Sequence, residues 1–435
     1  MGVLRYPRLR LYWTPSMRTQ IFSTVEMSRN RFEKLRNMLH VVDVNDKHDT
    51  SDRLWKVRPL LTAFRSRCQE LVLEENLCID EQIVPFKGQL DIKQYVKGKP
   101  NPWGVKIFFL CGSSGLTYDF IVYQGSTTEL RPEYKKDFGV TGALVLQLAE
   151  RIPADVGHKL FYDNYFTSLP VLRKLLEKRI FAAGTIRNNR LEKCPLKSEM
   201  ELKKQGRGSS DCLVSRDGRI AVVRWFDNRA VTLASNFMAV EPQDTAHRWS
   251  KVDSAFLDIK RPAVVSAYNS HMGGVDKTDF LVALYRISIR SRKWTLRMIF
   301  HIVNICVTNA WLEYKRDAQQ KRLRHQEQLD LLDFTLEIVE SLSKCAVKAT
   351  MNKRGRPSSS PLQPLTQVCR LANMPNDDTR YDQVSHWPLP VDGREQRCKR
   401  PGCSGRSRVK CEKCNVNLCM TKSNNCFKLF HFKTA

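Results

Sequence analysis

The chain lacks an uninterrupted apolar run. Its longest candidate, Trp294 to Leu312, is broken by Arg297, His301, Asn304 and Asn309. That pattern reads as a buried helix and excludes a membrane span. No secretory signal is expected, because the basic start MGVLRYPRLR has no apolar core behind it. Tyr6 stands where N-myristoylation wants Ser or Thr. No internal repeat is visible. Acid is scarce: 45 Asp and Glu face 72 Lys and Arg, a net charge of +27. Charge of that size and sign fits a polyanion partner, most simply nucleic acid; a solvated basic surface is the bland alternative.

What is present is ample core material. Hydrophobic residues make up 42% of 435 positions, enough for two to four units. Of the 14 cysteines, eight are scattered, such as Cys68, Cys111, Cys212 and Cys306, and read as small buried apolar residues. Six crowd between Cys398 and Cys426. Without a secretory signal, that crowding points to zinc in a reducing compartment.

Helical periodicity opens the chain. A Ser28 cap precedes RNRFEKLRNMLHVV with Phe32, Leu35, Met38 and Leu39 at helical spacing, and a second helix spans Leu60 to Leu73. Strands are expected at Leu77 to Pro85, Trp103 to Cys111 and Leu116 to Gln124, the last two joined by the turn Gly112-Ser113-Ser114-Gly115. A helix over Thr141 to Arg151, a strand over Lys159 to Tyr162, a helix over Leu169 to Lys178 and a strand over Ile180 to Ile186 follow. This order predicts a mixed sheet flanked by helices. Short strands at Cys212 to Ser215, Arg219 to Phe226 and Ala230 to Leu233 suggest a separate inserted β unit. After the short helix AVVSAYNSH the chain is helical again, with an apolar stripe of Leu331, Phe334, Ile338 and Leu342. These later helices are expected to pack with the N-terminal ones, since neither set buries its apolar faces alone. Residues 350 to 382 read as a basic, Pro- and Ser-rich linker.

The chemistry is carried by acids. In NLCIDEQIVPFKG, Cys78, Asp80 and Gln82 share one strand face. A lone carboxylate amid an apolar strand needs a basic partner or a metal ion. Two more acidic sites stand out, Asp163 in KLFYDNYF and the pair Asp276 and Asp279 in GGVDKTD, which share a helix face. Gly273-Gly274 ahead of that pair suits a sharp backbone turn. Converging aspartates suit hard Mg2+, and phosphoryl transfer on DNA uses two divalent ions about 4 Å apart. Ordinary salt bridges are the alternative for any one of these acids.

At the C-terminus, Cys398, Cys403, Cys411, Cys414, Cys419, Cys426 and His431 are seven zinc-type ligands, one short of two sites. His386, beside Trp387, is the candidate eighth. The expected pairing is Cys398, Cys403, Cys419 and Cys426 for one Zn2+ and His386, Cys411, Cys414 and His431 for the other. In the linker, Arg354 and Arg356 flank Gly355 as in an AT-hook, which lies in a narrow minor groove. A nuclear import signal is the compatible alternative.

CIDEQIVPFKG, QYVKGKPNPWGVK, FYDNYFTSLP and HMGGVDKTD, in this order, with MSRNRF near the start and RKW before the long apolar helix, resemble the piggyBac transposase family over nearly the whole chain. The resemblance implies an α/β protein with an RNase H-like catalytic domain in two parts (75–187 and 262–285) around a β insertion (188–261). It implies a split helical DNA-binding and dimerisation domain (1–74 and 286–349), a basic linker (350–382) and a zinc domain (383–435). Carried over by motif, the catalytic aspartates fall on Asp80, Asp163 and Asp276, with a fourth acid on Asp279. The tryptophan that meets the DNA end falls on Trp294, beside Arg292 and Lys293; a core residue starting an apolar helix is the alternative there. The implied activity is Mg2+-dependent cleavage and strand transfer at TTAA in double-stranded DNA, by a nuclear homodimer. A domesticated DNA-binding protein that no longer cuts is the alternative. The family usually carries a long acidic segment ahead of the helices, whereas Met1 stands here almost at the first motif. If the basic charge serves DNA, affinity for duplex DNA falls at least about 100-fold between roughly 50 and 200 mM salt. Fluorescence anisotropy across a salt series checks this, and a flat response contradicts it.

Overall fold

The strand expected around Asp80 forms as β1 (Asn76–Pro85), and the sheet is assembled on its two edges. The computed structural model describes residues 2–13, 27–45, 49, 51–99, 101–191, 194–251, 254–288, 291–348 and 374–432. They fall into two compact units, Met1–Asn352 and Lys353–Ala435. Arg354 and Arg356 of the expected AT-hook lie outside the described residues.

In the larger unit, β2 (Lys93–Tyr95), β3 (Trp103–Gly112) and β4 (Thr117–Val122) follow β1. β3 pairs antiparallel with β1, and β2 and β4 share its other edge. The other edge of β1 takes β5 (Lys159–Tyr162) in parallel, and β5 takes β6 (Phe181–Thr185) in parallel. The three expected strands of the inserted span are β7 (Ser210–Val214), β8 (Ala221–Phe226) and β9 (Ala230–Ser235). They do not form a unit of their own. β9 pairs antiparallel with β6, so the insertion continues the main sheet to nine strands. The physical reason is the open edge of β6, whose backbone groups would otherwise lack partners. Among the described residues of the inserted span, only the hairpin of β10 (Asp244–Ser250) and β11 (Ala255–Arg261), which periodicity did not suggest, stands off as a separate two-stranded sheet.

The helices are α1 (Arg29–Met38), α2 (Arg58–Gln69), α3 (Pro132–Leu148), α4 (Leu169–Glu177), α5 (Glu199–Gln205), α6 (Ala263–His271), α7 (Gly274–Leu284), α8 (Trp294–Gln320) and α9 (Leu331–Lys348). Strand alternation sends Leu77, Ile79, Phe108, Leu110 and Leu160 to one core, shared with Leu144 and Val145 of α3 and Leu172 and Leu175 of α4. Cys78, Val84, Phe109, Cys111 and Phe161 enter the opposite core, with Leu61 and Phe64 of α2, Val275 and Val282 of α7, and Leu296 and Ile302 of α8. The result is a mixed sheet between two helical layers, which fits the RNase H-like core.

The late helices do pack with the early ones. Asn309 of α8 bonds the backbone of Thr117 and reaches Cys68 Sγ of α2, and Arg67 pairs with Glu313 at 3.0 Å. Two expected apolar faces stay open. Leu35 and Met38 on α1 are exposed, and Leu342 on α9 is exposed although Leu331 is buried. α3 begins nine residues before the expected start, on Pro132, and changes direction at Gly139, whose φ of 68° glycine alone adopts without strain.

A buried ion pair ties α2 to β4. Asp119, 2% exposed, accepts from Arg65 Nε (2.6 Å) and Nη2 (3.0 Å), from Gln69 Nε2 (3.2 Å) and from the Phe120 amide. Removing one partner of such a pair strands the other. Asp119→Ala is expected to lower stability by about 2–4 kcal/mol, discounted because the Arg65 side chain reaches solvent. Urea denaturation checks this, and a loss under about 1 kcal/mol contradicts it.

Candidate active site

Three parts of the sheet unit supply the expected acids. β1 and β5 run parallel with Ile79 opposite Tyr162 as their last pair. Asp80 and Asp163 therefore occupy the next register step, side by side where β5 ends. Asp163 opens a turn: its Oδ1 accepts the Tyr165 amide (2.8 Å) and its carbonyl accepts Thr167 Oγ1 (2.8 Å). α7 supplies the third part by lying along the Asp80 face of β1. A Cβ on Gly274 would collide with the Gly112 carbonyl and sit 2.7 Å from Cys78 Sγ. Gly273 has an ordinary φ of −77° and open space at its Cβ position, so neither glycine makes the expected sharp turn, and Gly274 alone serves close approach. Farther along, Asp279 Oδ1 accepts Gln82 Nε2. The helix thus meets β1 at Cys78 and again at Gln82, and Asp80 is the strand position between them.

Asp163 and Asp279 are half-buried with Asp80, while Asp276 is exposed one turn before Asp279. Among the described residues, none of the four carboxylates takes part in a salt bridge. Burial, with the Glu81 charge and that of Asp163, pushes Asp80 up to about 7. Burial also raises Asp163, again with Glu81 adding to the effect, and raises Asp279, with Asp276 adding there. The Lys99 charge opposes the rise at both Asp80 and Asp279. Unneutralised, half-buried oxygen donors are what a hard divalent cation compensates, so these residues fit Mg2+. Their oxygens are not drawn into a tight knot: no three of them come within 4.8 Å of one another.

Trp294, Arg292 and Lys293 stand at the start of α8 and line a groove of about 650 Å3 with Trp55, Lys56 and Phe86. Lys293 Nζ bonds the Asn37 carbonyl (2.9 Å), while Arg292 is exposed. Trp294 packs beside the apolar core without being buried in it.

In the smaller unit the side chains gather as two quartets, Cys398 with Cys403, Cys419 and Cys426, and His386 with Cys411, Cys414 and His431. Within each, the ligand atoms all lie within 4.8 Å of one another. Cys403 and Cys419 are 3.9 Å apart and Cys403 and Cys426 3.5 Å, near the roughly 3.8 Å edge of a tetrahedron with zinc–sulfur bonds of about 2.3 Å. The histidines are oriented from behind. His386 Nε2 contacts Asp382 Oδ1 (3.0 Å), leaving Nδ1 at 3.4 Å from both Cys411 and Cys414. His431 Nδ1 donates to the Phe427 carbonyl (2.8 Å), and its buried Nε2 has no hydrogen-bond partner. A buried orphan nitrogen aimed among thiols fits a metal ion.

The profile of a family described as Transposase IS4, of piggyBac type, matches residues 1–311. The chain belongs to the piggyBac transposase family. The human PiggyBac transposable element-derived protein 3 is 32% identical over 426 residues, which is 96% of this chain and 66% of that protein. The human PiggyBac transposable element-derived protein 2 is 31% identical over 90% of this chain and 63% of its own length. The chain therefore spans just under two thirds of these relatives. A cryo-EM structure of a piggyBac transposase synaptic complex with hairpin DNA shares the fold, with a TM-score of 0.63 at 21% identity over 93% of this chain and 82% of that one.

Several residues around the candidate site were not singled out by sequence reasoning. Glu81 faces away from Asp80 yet acts on both Asp80 and Asp163, and pairs with Lys106 at 3.9 Å. Lys99 comes from the QYVKGKPNPWGVK motif. Gln82 had the strand alternation as its signal, since it shares the Asp80 face. His301 had only its intrusion into an apolar helix. No described helix is long and apolar enough to cross a membrane.

If the quartets hold zinc, a strong chelator releases about two Zn2+ per chain and unfolds the smaller unit, while the larger keeps its own transition. Atomic absorption with calorimetry reads both. One equivalent, or an unaltered small-unit transition, contradicts the assignment.

Proposed function

We propose that the chain is a metal-dependent transposase that cleaves double-stranded DNA and transfers its strands at TTAA sites. Asp80 and Asp163, with Asp279 and Asp276 on α7, are its Mg2+-holding carboxylates. The observation that carries the reading is the register that sets Asp80 of β1 beside Asp163 where the parallel strand β5 ends, both half-buried and, among the described residues, without salt-bridge partners. When bound, the divalent ions activate the attacking oxygen and stabilise the leaving one.

The chain's own residues do the rest. The rigid sheet fixes Asp80 and Asp163, and the close seat of Gly274 fixes the height of α7 above them. Arg292 and Lys293 are placed to take backbone phosphates, and Trp294 offers a ring face to a DNA end in the adjoining groove. The zinc unit, with Lys399, Arg400, Arg406, Arg408 and Lys410, adds a second basic contact. The proposal extends to a homodimer working in the nucleus, which light scattering and imaging of the tagged chain would check.

A second reading is a DNA-binding protein that has lost cleavage. It is favoured by the resemblance to human proteins named as transposable element-derived. Purified protein with Mg2+ is expected to nick a duplex containing TTAA. Asp163→Asn is expected to lower that rate at least about 100-fold with DNA affinity within about threefold, since only an ion ligand is lost. Equal cleavage by both proteins contradicts the assignment, and tight binding with no cleavage by either selects the second reading.

A further inference from the structure

Behind the carboxylates lies a buried polar relay of two side chains that are not themselves candidate metal ligands. Gln82 is 1% exposed and His301, from the first third of α8, is 3% exposed. His301 Nε2 lies 2.7 Å from Gln82 Oε1, and Gln82 Nε2 contacts Asp279 Oδ1. His301 Nδ1 is buried and has no hydrogen-bond partner among the described residues. Apolar packing normally fills such a place, so a histidine here with one idle nitrogen calls for a reason.

The chemistry of the three groups permits one arrangement. An amide oxygen only accepts, so the single N–H of neutral His301 sits on Nε2. Burial holds this ring neutral by pushing its pKa down to about 3. With Gln82 Oε1 engaged by that N–H, its NH2 group must face Asp279. The flipped amide would set its oxygen against a carboxylate oxygen and its NH2 against the histidine. The donor therefore meets Asp279 Oδ1 only, and Oδ2 stays free. Asp80 is two residues from Gln82 on the same strand face, so the relay and the candidate metal site share one stretch of β1.

We propose that Gln82 and His301 are positioning residues that hold Asp279 by one oxygen and present the other to the divalent cation. This rests on the reading of the aspartates as a metal site. It makes Asp279 a carboxylate of set orientation and distinguishes it from exposed Asp276. It also explains why a histidine interrupts the apolar run of α8. Trp294 is seven residues earlier on the same helix, so the element that lines the groove also carries the end of the relay.

The test uses the full chain without DNA and reads Mn2+ affinity by electron paramagnetic resonance, with thermal unfolding alongside. His301→Leu is expected to weaken Mn2+ binding about 10- to 100-fold, the usual effect of removing a ligand's supporting partner. His301→Gln, which keeps a donor toward Gln82, is expected to recover most of it. Gln82→Met, close in volume, is the second variant should His301→Leu fail to fold, and is expected to show the same weakening. In an Asp279→Asn background, His301→Leu is expected to add nothing further. If folded His301→Leu or Gln82→Met binds Mn2+ within about threefold of the parent, the relay is overturned and the metal site stands. If the parent protein binds no Mn2+ and cuts no DNA, the metal site falls and the relay falls with it.

Discussion

The structure turns on one register. Because β1 and β5 are parallel neighbours with Ile79 opposite Tyr162, Asp80 and Asp163 emerge together where β5 ends. Burial makes Asp80 resist ionisation, and the neighbouring charges of Glu81 and Asp163 add to it. With Asp80 pushed up to about 7, keeping it charged costs on the order of 4 kcal/mol more than in water. That cost is full above about pH 7, shrinks as the pH falls, and is gone only near 3.8, where the carboxyl of the unfolded chain also takes its proton. The fold tolerates it because both strands are anchored by two cores, one on each face of the sheet. A sheet stiff enough to hold two acids in this way also holds their oxygens still for a cation.

Around that pair, the helices act as spacers with exact heights. Gly274 lets α7 rest directly on β1, and any side chain there would lift Asp276 and Asp279 away from the strand. α8 closes the same layer, with Leu296 and Ile302 in the core and His301 in the polar relay beneath Asp279. The pairing of early helix α2 with late helix α8 is what allows a chain interrupted by a sheet to finish its second core. The inserted strands follow the same economy: they cover the exposed edge of β6 and extend the sheet.

The smaller unit solves a different problem. Its core is little more than the cysteines themselves with Val416, Leu418, Phe427 and Phe430. So small an apolar cluster does not hold a fold by itself, and metal binding energy is the usual supplement. The backing of His386 by Asp382 and of His431 by the Phe427 carbonyl shows that each ring is set to offer one particular nitrogen.

Much of this was legible in the chain itself. Apolar alternation located β1, β3 and β5 almost to the residue, because side-chain period is a local property. The motifs identified the family, and cysteine spacing with two histidines foretold both quartets. What could not be read was anything that depends on a partner strand or helix. The insertion looked self-contained because its pairing edge belongs to β6, far earlier in sequence. The glycines before Asp276 looked like a turn because the close contact that Gly274 allows lies on β1 and β3. Gln82 and His301 looked like an ordinary strand residue and a flaw in an apolar helix until folding brought positions 82, 279 and 301 together. Sequence alone determined most of the core elements, the ligand types and the family, since these follow from residue chemistry and local spacing. Only the tertiary structure decided which oxygen and which nitrogen face one another, because hydrogen bonds between distant segments exist only once both cores have closed.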